Sequence, residues 1–155
     1  MNEAEKLKKR ISHIFLKKGG EGRYTKLFEN FSLYERELLL NDISLIEGEL
    51  PIILGFEIPA EWLLITTVRI ICRRKGKIEE VQNSEIKEGN VDFDKMLSER
   101  KIGFHKIDEL VITKNNSHKI SIYPEIGFPL VGIWNVLIHL GWRNWKQSKD
   151  EFDKK

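Results

Sequence analysis

The stretch Phe128-Pro-Leu-Val-Gly-Ile-Trp-Asn-Val-Leu-Ile-His-Leu-Gly-Trp-Arg-Asn-Trp-Lys146 decides how this chain is read. Leu130, Ile133, Trp134, Leu137, Ile138 and Trp145 recur at helical intervals and form a wide apolar stripe. Pro129 suits the first turn, where its missing N–H leaves no bond unmade. The spacing predicts a helix over 128–146 with this stripe in the core and Trp134 among its buried members. The charged residues that follow, 147–155, are expected to form a frayed tail.

Working outward, Lys114-Asn-Asn-Ser117 is turn chemistry, because Asn tolerates left-handed backbone angles. It separates the apolar run Leu110-Val-Ile112 from the alternating Lys119-Ile-Ser-Ile-Tyr123, which predicts an antiparallel hairpin with one wet face. Further upstream the pattern is strand-like. Pro51-Ile-Ile-Leu-Gly-Phe-Glu-Ile58 is rich in β-branched residues and is broken by Pro59. Trp62 to Ile65 are apolar at consecutive positions, which predicts a strand covered on both faces. Residues 69–74 form the next strand, Lys75-Gly76-Lys77 a turn, and 78–86 a polar strand near an edge. Asp92 is placed to cap a short helix through Phe93, Met96 and Leu97, with a loop over 87–101 as the alternative.

Two helices are expected at the N-terminal end. Leu7, Ile11, Ile14 and Phe15 share one side of a segment over 3–16, which ends in glycines. Ser32 and Glu35 have capping-box spacing, and Leu39, Ile43 and Ile46 continue at helical intervals towards Gly48. These elements divide the chain into a helical extension over 1–48, a strand-rich body with its closing helix over 49–146, and the tail.

Leu63-Leu-Ile-Thr-Thr-Val-Arg-Ile-Ile71, and the later run of Ile107–Thr113, turn, Lys119–Tyr123 and the closing helix, resemble bacterial pleckstrin-homology-like and GRAM-like domains. The resemblance covers 50–145. It implies a mainly β fold within an overall α+β chain: a bent antiparallel barrel of about seven strands plugged by the C-terminal helix, with the N-terminal helices added. It also implies a binding module rather than an enzyme. Similar stand-alone bacterial domains occur among the immunity proteins of toxin systems.

The chemistry carried by the sequence is sparse. His13, His105, His118 and His139 form no pair at metal-ligand spacing, and Cys72 is the sole cysteine. In an apolar strand Cys72 reads as a core thiol. Gly19-Gly-Glu-Gly22 lacks the Lys-Ser/Thr of a phosphate loop, and no Gly-x-Ser-x-Gly elbow is present. No cofactor is therefore expected. A formal net charge of +2 gives no ground for nucleic-acid binding. No apolar run reaches the ~18 residues of a membrane span, and no signal-peptide core follows the charged start, so a cytoplasmic location is expected.

Two clusters remain as candidate partner- or anion-binding residues. Arg73, Arg74, Lys75 and Lys77 lie around the turn that follows the third expected strand. Lipid-binding members of the resembling family carry their basic motif on the first hairpin instead. Trp142 and Arg143 lie on the closing helix, where packing of Trp142 and Trp145 against the N-terminal helices competes with an interfacial role. The reading is a non-catalytic module that binds another protein, as a monomer or homodimer, with an immunity-type inhibitor as a specific form. Binding to anionic phospholipid is one alternative. An enzyme whose site leaves no motif is another.

Overall fold

The structure, a computed structural model, describes residues 1–100 and 103–154. Its helices are α1 (Glu3–Lys18), α2 (Leu33–Leu40), α3 (Phe93–Ser98) and α4 (Phe128–Asp153). Its strands are β1 (Thr25–Leu27), β2 (Pro51–Ile58), β3 (Glu61–Thr66), β4 (Arg69–Arg74), β5 (Lys77–Gln82), β6 (Ile86–Asn90), β7 (Leu110–Lys114) and β8 (Lys119–Ile122). Strands β1 to β5 form one antiparallel sheet in sequence order, and β6 to β8 form a second. The chain is α+β. Among the described residues helix outweighs strand, so a mainly β fold is not confirmed, and no closed barrel is found there.

The first sheet is buried on both faces, as the unbroken apolar run in β3 anticipates. Ile53, Leu63, Ile65 and Ile70 face a large core shared with α1, α4 and the second sheet. Leu54, Trp62, Leu64 and Ile71 face a smaller core closed by Phe31, Leu39 and Ile43 around α2. Trp62 donates its indole N–H to Asp42 at 3.3 Å, which satisfies the polar end of a buried aromatic.

The edge strand expected over 78–86 is instead two strands in two sheets. A short 3-10 turn, Asn83–Glu85, carries the chain from β5 to β6. Asn83 is buried there and donates to the Thr66 carbonyl at 2.9 Å. Asn144 of α4 donates to the carbonyls of Asn83 and Ile86, at 2.7 and 2.9 Å. Polar residues that weaken a strand pattern here satisfy the backbone at the corner between the sheets.

Residues 1–48 pack on the strand-rich body. Helix α1 places Leu7, Ile11 and Phe15 in the large core, and β1 pairs with β2 at the edge of the first sheet. Glu125, just before α4, accepts from the backbone N–H groups of Arg23 and Tyr24 at 2.7 and 2.9 Å, tying β1 to the far end of the chain. The capping box of Ser32 and Glu35 forms as its spacing indicates, but α2 ends at Leu40. Ile43 is still buried, whereas Ile46 is exposed. Asp92 caps α3 through the Lys95 N–H at 3.0 Å; of the alternative loop over 87–101, Lys101 lies outside the described residues.

Helix α4 differs from expectation in length and in its buried face. It continues to Asp153, through the segment expected to fray. The residues it buries are Pro129, Leu130, Gly132, Ile133, Val136, Leu137, Leu140 and Gly141. Trp134 is only partly buried, and Ile138 and Trp145 are exposed. The buried face therefore keeps Leu130, Ile133 and Leu137 of the expected stripe and turns Ile138 and Trp145 to solvent. Glycines on the buried face let the backbone of α4 approach its neighbours. A Cβ on Gly132 would lie 2.9 Å from the carbonyl oxygen of Phe15 in α1, and one on Gly141 would lie 2.5 Å from that of Lys87 in β6. No helix among the described residues is long and apolar enough to cross a membrane.

Candidate functional site

The β4–β5 hairpin turns tightly at Lys75 and Gly76, both with positive φ (51° and 76°), the geometry of a two-residue hairpin. This places the four basic residues on one rim of a cleft of about 510 Å³ between the two sheets. Their environments differ. Arg73 donates to the Asp42 carboxylate at 2.9 Å and is two-thirds buried. The Arg74 guanidinium sits over the ring of Tyr123, its Cζ 3.4 Å from the centroid, and the Tyr123 hydroxyl donates to Glu109 at 3.2 Å. These two arginines therefore join elements of the fold: one ties β4 to the α2 segment, the other ties the first sheet to the end of the second. Lys75 and Lys77 are exposed.

The cleft also carries acidic residues. Glu57, Glu61, Glu79 and Glu125 line it together with Lys119 and Tyr24. Burial, with Glu57 and Glu125 nearby, pushes the Tyr24 hydroxyl up from its ordinary pKa. Cys72 also lines the cleft, partly buried and packed against the large core. Burial raises its thiol, and Glu79 raises it further, so it stays protonated at neutral pH. The walls alternate in sign, a poor match for a polyanion and a good one for a protein surface.

The second predicted pair, Trp142 and Arg143, lies elsewhere. It lines a groove of about 830 Å³ between α1 and α4, and the two clusters share no lining residue. Trp142 and Trp145 are 54% and 58% exposed; Trp142 lines the groove beside α1, and Trp145 does not. Lys146 sits over the Trp142 ring and Lys149 over the Trp145 ring, each 5.3 Å from the centroid. Arg143 is half-buried. Across the groove α1 presents Lys6, Lys9, Arg10 and His13. Among the described residues no salt bridge engages Lys9, Arg10, Arg143 or Lys146; Lys6 is paired with Glu3 at 3.2 Å.

His139 also lines the groove. Its Nε2 is buried with no hydrogen-bond partner among the described residues. Burial, followed by the charges of Arg10 and Arg143, lowers its pKa, so the imidazole is neutral at pH 7. The α1 contribution was absent from the sequence-derived site. Its signal was available: Lys6, Lys9, Arg10 and His13 recur at helical spacing on a face flanking Leu7, Ile11 and Ile14.

Among the described residues no group of three or more His, Cys, Asp or Glu is placed to hold a metal ion. Comparison with models of known protein families, with curated proteins and with solved structures finds no match to this chain.

Proposed function

We propose that this chain is a non-catalytic protein-binding module, acting as an immunity-type inhibitor of a toxin in the cytoplasm. One observation carries the reading. Ile138, Trp142 and Trp145 follow one another on the outer side of α4, each more than half exposed, opposite the face that fills the core. A row of large apolar residues left in water is a cost to the free protein that burial by a partner removes, and Trp is among the commonest interface anchors. The mixed-sign cleft beside the β4–β5 hairpin adds a second surface suited to a protein. The order of two antiparallel sheets followed by a closing helix is consistent with the pleckstrin-homology-like arrangement, and that finer fold assignment is part of the same proposal.

Binding to an anionic membrane surface is a second reading, favoured by the two cation-covered tryptophans of α4. One experiment separates them. The chain and its Trp142→Ala/Trp145→Ala variant are used to capture partners from the source cell, alongside sedimentation with phosphatidylcholine vesicles with and without phosphatidylserine. The protein reading expects one protein retained in stoichiometric amount by the chain and lost from the variant, with no vesicle binding. Capture of no protein above background, or sedimentation with anionic vesicles alone, overturns it.

A further inference from the structure

The groove between α1 and α4 carries more information about the partner than the aromatic row does alone, and the inference from it rests on the protein-binding reading. The whole chain has a formal net charge of only +2, yet Lys9, Arg10, Arg143 and Lys146 converge on this one groove without a carboxylate partner among the described residues. Glu3 and Asp150 are its acidic lining residues, and Glu3 is engaged by Lys6. A partner seated here must therefore bring negative charge.

Its shape and floor narrow the partner further. Two packed helices leave between them a furrow of the kind that a third helix fills. Helices α1 and α4 meet closely at Gly19 and Gly132, where a Cβ on Gly19 would overlap the α4 backbone, and the furrow lies towards the opposite ends of the pair, lined by Lys6, Arg10, Arg143 and Lys146. Leu7, Ile14 and the exposed ring of Trp142 supply apolar contact between the cations. A concave groove does not match the flat face of a bilayer. Aromatic and aliphatic lining with carboxylates among the cations matches a polyphosphate poorly and a protein side-chain pattern well.

We infer that the α1–α4 groove docks an amphipathic, acidic α-helix of the protein partner, with Trp142 as its apolar anchor and Arg10 and Arg143 pairing with carboxylates that flank the apolar stripe of that helix. The mode is helix-in-groove recognition, with apolar anchors at helical spacing.

The test uses the full chain and a fluorescent amphipathic peptide of about 20 residues, leucines on one face and glutamates beside them, with its lysine counterpart as control. Anisotropy is expected to show binding of the glutamate peptide and none of the lysine peptide. Arg10→Glu/Arg143→Glu is expected to weaken binding by at least about tenfold. Trp142→Ala, a substitution at an exposed site that leaves the core intact, is expected to weaken it with no change in melting temperature. Equal binding of the two peptides, undiminished binding by both variants, or preferential binding of anionic vesicles or a single-stranded oligonucleotide overturns the inference. The groove and the wider reading fail separately. If a captured partner is retained by Arg10→Glu/Arg143→Glu and lost on Lys75→Glu/Lys77→Glu, the groove is wrong and the binding module stands. Capture of no protein removes the module itself.

Discussion

Glu49 shows how single residues hold this fold. Its side chain is fully buried and accepts hydrogen bonds from Thr66 Oγ1 at 2.6 Å, from Arg69 Nε at 3.0 Å and from the Ile46 N–H at 3.0 Å. Burial alone would raise the carboxyl, but these bonds outweigh it and hold the group below its ordinary value of 4.5. A depressed carboxyl contributes stability above the unfolded pKa, and that contribution is lost as pH falls through the folded value. Glu49→Ala is therefore expected to cost about 3 kcal/mol at pH 7, since it leaves Arg69 without its buried partner. Below about pH 4.5 the gap between the variant and the parent should narrow, as urea midpoints at pH 7, 4 and 3 will show. A second residue-scale prediction contrasts two positions one helical turn apart. Leu137 is fully buried, whereas Trp134 is partly exposed beside Phe93. Leu137→Ala should cost about 2–5 kcal/mol and Trp134→Ala only about 1–2, reversing the order expected if Trp134 were the plug.

At the scale of elements, α4 is the instructive case. Its existence and start were legible from 3.6-residue periodicity and from Pro129. Its buried face was legible only in part, because the helix carries two apolar stripes. Periodicity weights Trp and Ile above Gly, yet Gly132 and Gly141 are buried while Ile138 and Trp145 face water. Contact depth here is set by backbone approach, a property that no hydropathy pattern records. The expected consequence is that Gly141→Ala destabilises by about 1–3 kcal/mol, despite the better helix propensity of Ala, because the added methyl meets the Lys87 backbone. Thermal melts of the variant beside the parent will measure it. Elsewhere, local chemistry fixed what could be read in advance. The Ser32–Glu35 box, the Asp92 cap and the turn at Lys75-Gly76 each depend on neighbours in sequence, and each formed. The three-residue β1 and the switch from β5 to β6 depend on partners far along the chain, Gly55 and Asn144 among them, and were missed for that reason.

For the whole molecule, the arrangement separates stability from recognition. Two cores sandwich the first sheet, α1 and α4 complete the larger core, and no residue of α4 beyond Gly141 is buried. Removing 147–155 should therefore change the urea midpoint by no more than about 0.5 kcal/mol equivalent. The candidate residues read from sequence divided along the same line. Arg73 and Arg74 serve the fold, through Asp42 and Tyr123, while Arg143 has no salt-bridge partner among the described residues and Trp142 is contacted by Lys146 of its own helix. The sequence could not show this division, because it depends on which acidic or aromatic group the tertiary fold brings to each cation. The central claim is that the outer face of α4 and the groove it shares with α1 form the partner surface. Amide hydrogen exchange on the chain with and without its captured partner tests it most directly. The account expects slowed exchange in α1 and in α4 around Ile138–Trp145, with the β4–β5 hairpin changed less. Protection confined to the hairpin, or no protection in α1 and α4, would contradict it.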